Sequence, residues 1–289
     1  MEVVATRASW RAATESVRSS GGRVGLVPTM GALHAGHRSL VEAARSRGDV
    51  VAATIFVNPL QFGDAHDLER YPRTLESDLA LLESAGCDLV FTPSVAELYP
   101  RAPEPATTMV RVAGAAEGFE GADRPGHFDG VATVVALLFN LTGPCDAYFG
   151  EKDFQQLAVI RQMVAELAMD VDVQACPTLR EPDGLAMSSR NVRLSADGRA
   201  IAPLLYRSLL AAAAEVMAGA GPAAASQLIG EMLGAEPRAQ LSYAALVDPV
   251  TLEIPQRCVS GADYRLLIAA VIDGVRLIDN LEVTAGIAP

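Results

Sequence analysis

The sequence predicts an α/β protein: an open, doubly wound parallel sheet with a second, smaller α+β domain. Three observations lead there. Short apolar runs near Val24, Val50, Asp88, Ala147 and Val171 alternate with stretches of helical periodicity, the order that strand–helix–strand units require. From about Ala200 the order changes to two Ala- and Leu-rich helical stretches and then three strand-like runs. The last two runs flank Asp273-Gly274, a tight hairpin signal. The predicted domains are residues 1–178 and 179–289.

The elements follow in order. Residues 10–19 read as an amphipathic helix ending at Gly21-Gly22. Residues 24–28, V-G-L-V-P, form an apolar run expected to be a buried strand stopped by its proline. Gly31 allows a tight turn, and residues 38–47 carry apolar side chains at helical spacing among good helix formers. Residues 50–57 are a second buried strand, closed by N-P-L-Q-F-G at 58–63. Ligands of open parallel sheets bind at the carboxyl ends of strands, so that loop falls on the site side. Residues 64–74 are polar and expected to form a mobile loop, 75–83 a helix and 88–93 a third strand.

Residues 99–126 are rich in Pro, Gly and Ala and show no periodicity. Residues 128–141 then read as a buried helix and 147–149 as a short strand. G-E-K-D-F-Q-Q at 150–156 opens a helix running to about residue 168. A strand at 171–175 leads into a loop at 177–191 that contains M-S-S-R-N. Beyond it come one long helix at 200–217, a break at 218–222 and a second helix at 223–233. Strands follow at 241–247, 264–272 and 275–278.

Composition bounds the function. Half of the 289 residues are hydrophobic and a fifth are charged, as in a core-bearing globular protein. A net charge of −12 argues against nucleic acid as a partner. No signal peptide is visible at the N-terminus, and no apolar run is expected to reach the roughly 20 residues of a membrane span. Cys87, Cys145, Cys176 and Cys258 are scattered without a C-x-x-C pair, which reads as reduced thiols of a cytoplasmic protein. The chain has 22 arginines and one lysine, Lys152. Where a strong compositional bias spares a single lysine, its chemistry is a candidate for the reason.

His34 and His37 lie at the turn after the first buried strand, where a helix begins. Free backbone N–H groups at a helix start favour an anion, and two imidazoles three residues apart add donors on one face. Gly36 between them lets a flat ligand approach. Two histidines in an ordinary βα loop are one alternative; a zinc pair is another, but no Cys or third His sits at ligand spacing nearby. His34-Ala35-Gly36-His37 resembles the H-x-G-H signature of adenylate-forming nucleotidyltransferases.

Four loops stand out together: T-M-G-A-L-H-A-G-H at 29–37, F-V-N-P-L-Q-F-G at 56–63, G-E-K-D-F-Q-Q at 150–156 and M-S-S-R-N at 187–191. In this order, with Y-P-R-T at 71–74 and the terminal hairpin, they resemble the pantothenate synthetase family, the pantoate–β-alanine ligases. The resemblance spans essentially the whole chain. It implies a Rossmann-like first domain, a C-terminal lid and a cytoplasmic homodimer. The implied reaction joins pantoate to β-alanine through a pantoyl adenylate, using ATP and Mg²⁺.

It also implies roles for particular residues. Met30, Gly31, Ala32, Leu33, His34, Ala35, Gly36 and His37 would line the ATP site, with His37 the proton donor. Gly150, Glu151, Lys152 and Asp153, then Met187, Ser188, Ser189 and Arg190, would complete it, and Leu179 would meet adenine through its backbone. The catalytic set would be His34, His37, Lys152, Ser188, Ser189 and Arg190. Gln61 and Gln156 would bind pantoate, Gln61 also meeting β-alanine, with Asn58 behind them. Asp78 is a candidate magnesium ligand. Leu137 departs from the pattern, standing where many relatives are expected to have lysine. Two other readings compete: an H-x-G-H enzyme that stops at nucleotide transfer, and a nucleotide-binding regulator without turnover. The second and third loops argue against the first. Retention of both histidines, Lys152 and Ser188-Ser189-Arg190 argues against the second, because sensing needs no transition-state donors.

Overall fold

The computed structural model describes residues 1–63, 65–102, 104 and 106–286. The chain forms two compact units. One comprises Met1–Glu151 and Gln155–Pro177; the other comprises Lys152–Phe154 and Thr178–Pro289. The first unit runs β1 (Glu2–Val4), α1 (Arg7–Ser19), β2 (Val24–Thr29), α2 (Ala35–Ser46), β3 (Val50–Ile55), α3 (Ala65–Arg70) and α4 (Leu75–Ser84). It continues with β4 (Leu89–Phe91), α5 (Val95–Leu98), α6 (Phe119–Asp123), α7 (His127–Thr142), β5 (Cys145–Gly150), α8 (Phe154–Glu166) and β6 (Val171–Cys176).

All six strands are parallel, in the order β1-β4-β3-β2-β5-β6. The chain winds outward one way from β2 through β3, then returns to β2's other side with β5. That reversal places the ligand crevice of such a sheet at the carboxyl ends of β2 and β5. The core follows from periodicity. Leu40, Val41 and Ala44 of α2 pack on Val27, Val51, Ala53 and Val90 of the sheet, joined by Leu82 of α4. Each large side chain buried there contributes roughly 1.5–3 kcal/mol. Trp10 of α1 is fully buried, stacks on Phe91 at 5.1 Å and donates its indole N–H to Thr142 Oγ1 at 3.1 Å.

The second unit contains α9 (Ala196–Ile201), α10 (Leu204–Met217), α11 (Pro222–Gly234) and the antiparallel strands β7 (Ala239–Val247), β8 (Asp263–Ile272) and β9 (Val275–Thr284). Leu205, Leu209, Ala212 and Val216 of α10 meet Leu266, Ile268, Ala270 and Ile272 of β8 in its core. Asp273 and Gly274 both have positive φ, +46° and +77°, the backbone of the two-residue hairpin turn their sequence predicts.

Five details differ from expectation. Pro28 does not stop β2, which continues to Thr29. β5 pairs only with Gly25 and Leu26, so the donor missing at Pro28 breaks no bond there. The expected loop at 64–74 contains α3, while Asp64 itself lies outside the described residues. The single long helix expected at 200–217 is two helices, parted at Pro203, which cannot donate its backbone N. Residues 196–217 are long and apolar enough by composition to cross a membrane, against expectation. That break and the buried face of α10 make them core helices of the second unit. β9 is also longer than predicted, because Asp279 and Asn280 continue the strand.

Candidate active site

In the first unit the site is built on the turn between β2 and α2. Thr29 anchors it by donating its hydroxyl to the Thr54 carbonyl at 2.6 Å. The chain then reverses with Gly31 at φ +80° and Ala32 at +51°. A Cβ on Gly31 would lie 2.9 Å from Asp78 Oδ2 and 3.2 Å from Ile55, so glycine is required by both space and dihedral. Asp78 is only 2% exposed. It accepts from the backbone N–H of Ala32 at 3.0 Å and of Leu33 at 2.8 Å, and both its oxygens lie 3.2 Å from the Thr74 hydroxyl. Charge-assisted bonds of this kind hold a turn firmly. With both oxygens engaged, Asp78 anchors the histidine turn.

The histidines come next. His34 is the N-cap of α2, and its Nδ1 accepts from the Gly36 backbone N–H at 3.1 Å. His37 Nδ1 accepts in return from the His34 backbone N–H at 3.3 Å. This is a capping box made with imidazoles instead of hydroxyl and carboxylate. Its consequence is chemical. A ring nitrogen that accepts from an N–H is unprotonated, so in neutral imidazole the other nitrogen carries the hydrogen. In the neutral form both rings, 4.2 Å apart between centroids, therefore carry hydrogen on Nε2.

Beyond β3, residues 59–61 form a 3-10 turn with Asn58 as its N-cap. Asn58 is 1% exposed and makes four bonds. Its Oδ1 accepts from Leu60 N at 3.2 Å and the Tyr99 hydroxyl at 2.7 Å; its Nδ2 donates to Gln61 Oε1 and the Gly130 carbonyl, each at 3.0 Å. Asn58 thus holds the carbonyl end of the Gln61 amide. Gln61 is no surface amide, being 7% exposed. His127 fixes the backbone of the same residue: Nδ1 donates to the Gln61 carbonyl at 2.9 Å while Nε2 lies 3.1 Å from Arg124 Nη1. Helix α7 packs so tightly on this turn that a Cβ on Gly130 would sit 2.3 Å from the Leu60 carbonyl oxygen.

The adjacent glutamines on α8 divide their work. Gln155 is buried and staples the segment before α6, accepting from Glu120 N and donating to the carbonyls of Ala115, Glu117 and Gly118. Gln156, the predicted ligand, is half-buried. Leu137 lies on the wall of an apolar recess of about 390 Å³, beside Leu98, Met109, Val110, Ala136 and Leu141. Its departure from the family pattern therefore falls in that recess rather than in any of the four loops.

The second unit holds Lys152 and the predicted loop with Arg190. Lys152 sits in the 3-10 turn Glu151–Asp153 after β5, its side chain 15% exposed and its Nζ 3.4 Å from Asp153 Oδ1. Residues 179–187 fold back as a small hairpin: Met187 N donates to the Leu179 carbonyl at 3.0 Å and Arg180 bridges Ala186. Gly184 at φ +93° turns it. Behind the hairpin, Ser188 Oγ accepts from Arg190 N at 3.2 Å and Asn191 Nδ2 donates to the Ala186 carbonyl at 3.1 Å. Ser188, Ser189 and Arg190 are all half-buried.

Reading the sequence missed Tyr99, His127, Gln155, Asp279 and Asn280. Each acts on a residue distant in the chain, and no local pattern marks it. The one available signal was His127, one of only four histidines.

Comparison with known proteins identifies the family. A family model described as Pantoate-beta-alanine ligase matches residues 2–282. Pantothenate synthetase of Paracoccus denitrificans is 49% identical over 282 residues, covering 98% of both chains. That of Herpetosiphon aurantiacus is 51% identical, covering 97% of this chain and 99% of its own. The crystal structure of Thermus thermophilus pantothenate synthetase superposes with a TM-score of 0.89 at 50% identity, covering 98% of this chain and all of that one. Pantoate-beta-alanine ligase from Francisella tularensis, complexed with beta-gamma ATP and beta-alanine, superposes with a TM-score of 0.77 at 33% identity over 97% of each chain.

Proposed function

We infer, from the premise that this chain belongs to the pantoate–β-alanine ligase family, that it condenses pantoate with β-alanine to pantothenate using ATP. The observation that supports the residue assignments is the reciprocal cap of His34 and His37, which fixes two imidazoles at a helix N-terminus. That is a site for an anion whose charge grows during reaction.

In the first step a carboxylate oxygen of pantoate attacks the α-phosphorus of ATP. The new O–P bond forms as the bond to the β-phosphate oxygen breaks, and pyrophosphate leaves. Pantoate is already ionised near neutral pH, so no general base is needed. The barrier is the approach of two anions and the charge gathered on the leaving group. His34 and His37 donate to phosphate oxygens. Lys152, Ser188, Ser189 and Arg190 add donors and positive charge around the same group. Residues 30–37 and 150–153 line the nucleotide, and the Leu179 backbone meets adenine. Gln61 and Gln156 bond the pantoate hydroxyls, and neutral amides do so without adding charge beside a carboxylate.

In the second step the neutral amine of β-alanine attacks the acyl carbonyl. The C–N bond forms, the C–O bond to AMP breaks, and the amine gives up a proton. Residues 179–289 act as a lid that shields the adenylate from water. Among the described residues there is no group of three or more His, Cys, Asp or Glu placed to hold a metal ion. Mg²⁺, when bound with the nucleotide, would supply positive charge to the phosphates, and Asp78 is the side chain that could hold it. The four free thiols suit a reducing cytoplasm, and the family resemblance carries a homodimer with it.

The test is AMP release with ATP and Mg²⁺. Steady release needs both pantoate and β-alanine, while pantoate alone supports exchange between pyrophosphate and ATP. Rapid AMP release with β-alanine but without pantoate rejects the assignment.

A further inference from the structure

The segment carrying Lys152 belongs spatially to the second unit, although the chain on either side of it belongs to the first. What holds it there is β8 and β9. Asn280 Nδ2 donates to the Lys152 backbone carbonyl at 2.9 Å. Two residues further along the turn, the Arg265 guanidinium lies over the Phe154 ring, 4.2 Å from its centroid, a cation–π contact. Residues 265 and 282 pair across the two strands, as do 267 and 280. Period-2 alternation therefore puts Arg265 and Asn280 on one face of the sheet, both gripping residues 152–154.

Asp279 precedes Asn280 and faces the other way. It pairs with Ile268 of the core face and is buried, with only 2% of its side chain exposed. Arg180 meets it through two bonds, at 2.6 and 3.0 Å. The same guanidinium donates to the Gly184 carbonyl at 3.1 Å and the Asn280 carbonyl at 3.2 Å, and lies 3.8 Å from the centroid of the Tyr206 ring. Arg180 begins the hairpin whose far end is Met187 and the Ser188–Arg190 loop. A planar, five-donor group is the one side chain that can close such a set of acceptors at once.

We propose that the adjacent pair Asp279-Asn280 is a positioning element that sets Lys152 and the Ser188–Arg190 loop at a fixed separation. Asn280 grips the lysine turn on one face of β9, and Asp279 grips the hairpin through Arg180 on the other. The physical logic is preorganisation. Cations on two separate loops stabilise a transition state only if neither must be reordered when charge develops. One strand gripping both removes that freedom. Neither residue touches the reacting groups; each acts through another.

The proposal rests on the assigned role of Lys152, and a double-mutant cycle separates the two. Pyrophosphate–ATP exchange is measured in the full-length protein for Asn280→Ala, Lys152→Ala and the double variant. Asn280→Leu, which keeps the volume and loses the donor, serves as the second single variant. Thermal melting confirms that each is folded. Asn280→Ala and Asn280→Leu are expected to lower the exchange rate about 10-fold in the parent chain and under about 2-fold when Lys152 is already alanine, since coupled residues are not additive. The KM for β-alanine stays unchanged, because the loss falls on adenylation. Equal losses in both backgrounds, or none in the parent chain, overturn the positioning role alone. Parent-level exchange in Lys152→Ala overturns the role of the lysine and the proposal with it.

Discussion

His34 and His37 cap one another: the backbone N–H of His34 donates to His37 Nδ1, and His34 Nδ1 in turn receives the Gly36 N–H. One arrangement thus starts helix α2 and sets which ring nitrogen carries hydrogen. These two jobs can be separated. His34→Asn keeps a good N-cap and removes the imidazole. It is expected to hold stability within about 0.5 kcal/mol of the parent while slowing adenylation roughly 10²–10³-fold, the scale of losing one transition-state donor. His34→Ala loses both, with about 1 kcal/mol of stability lost as well. Melting curves and pyrophosphate exchange on the two variants check this; equal activity in His34→Asn and the parent rejects the donor role.

Asp78 distinguishes a turn anchor from a metal ligand. Asp78→Asn keeps one acceptor and leaves a buried N–H pointing at a donor, a loss of about 1–3 kcal/mol. Adenylation should fall because residues 31–33 lose their hold. Raising Mg²⁺ should not restore it. Recovery of activity at high Mg²⁺, with the melting temperature unchanged, would identify the carboxylate as an ion ligand instead.

Gly130 tests how Gln61 is set. A methyl group there must displace the Leu60 carbonyl from 2.3 Å, so Gly130→Ala pushes on the turn that carries Gln61 and Asn58. Overpacking of this kind costs about 1–3 kcal/mol. The KM for pantoate is expected to rise several-fold while that for ATP stays near the parent value. A variant with unaltered pantoate affinity and parent stability would show that the turn yields freely.

The thiols make a pH prediction. Burial pushes Cys87 and Cys176 up to about 11 and Cys145 up to about 12, from 9.0, and raises Cys258 as well. At pH 8 the thiolate fraction of Cys87 is then roughly a hundredfold below that of an unfolded chain. Iodoacetamide should label the native protein slowly and the urea-unfolded protein fast. The sign for stability follows. These thiol values are higher in the folded state, so their contribution is complete below about pH 9 and is lost as pH rises through about 11. A melting temperature flat to pH 9 and falling above it is the expected profile.

Much of this was legible in the sequence because it depends on local patterns. Helical spacing in α2, continuous apolar runs in β2 and β3, and the Asp273-Gly274 turn each determine their own element with little help from the rest of the chain. The four loops were legible as motifs because each is a short contiguous run of distinctive residues. The sequence also marked His34, His37, Gln61 and Lys152 as the residues to place.

Tertiary structure alone decided what each of them is held by. Asp78 is an ordinary helical aspartate in sequence, and becomes an anchor only because α4 brings it to the turn at Ala32 and Leu33. Tyr99 reaches Asn58 across 41 positions, and Asn280 reaches Lys152 across 128. β9 looked shorter than it is because Asp279 and Asn280 are poor strand formers by propensity; their long-range partners, Arg180 and the Lys152 carbonyl, outweigh that preference. The physical reason is common to all three. A hydrogen bond between distant residues leaves no periodicity in the chain, so it exists only once packing has closed the loop between them.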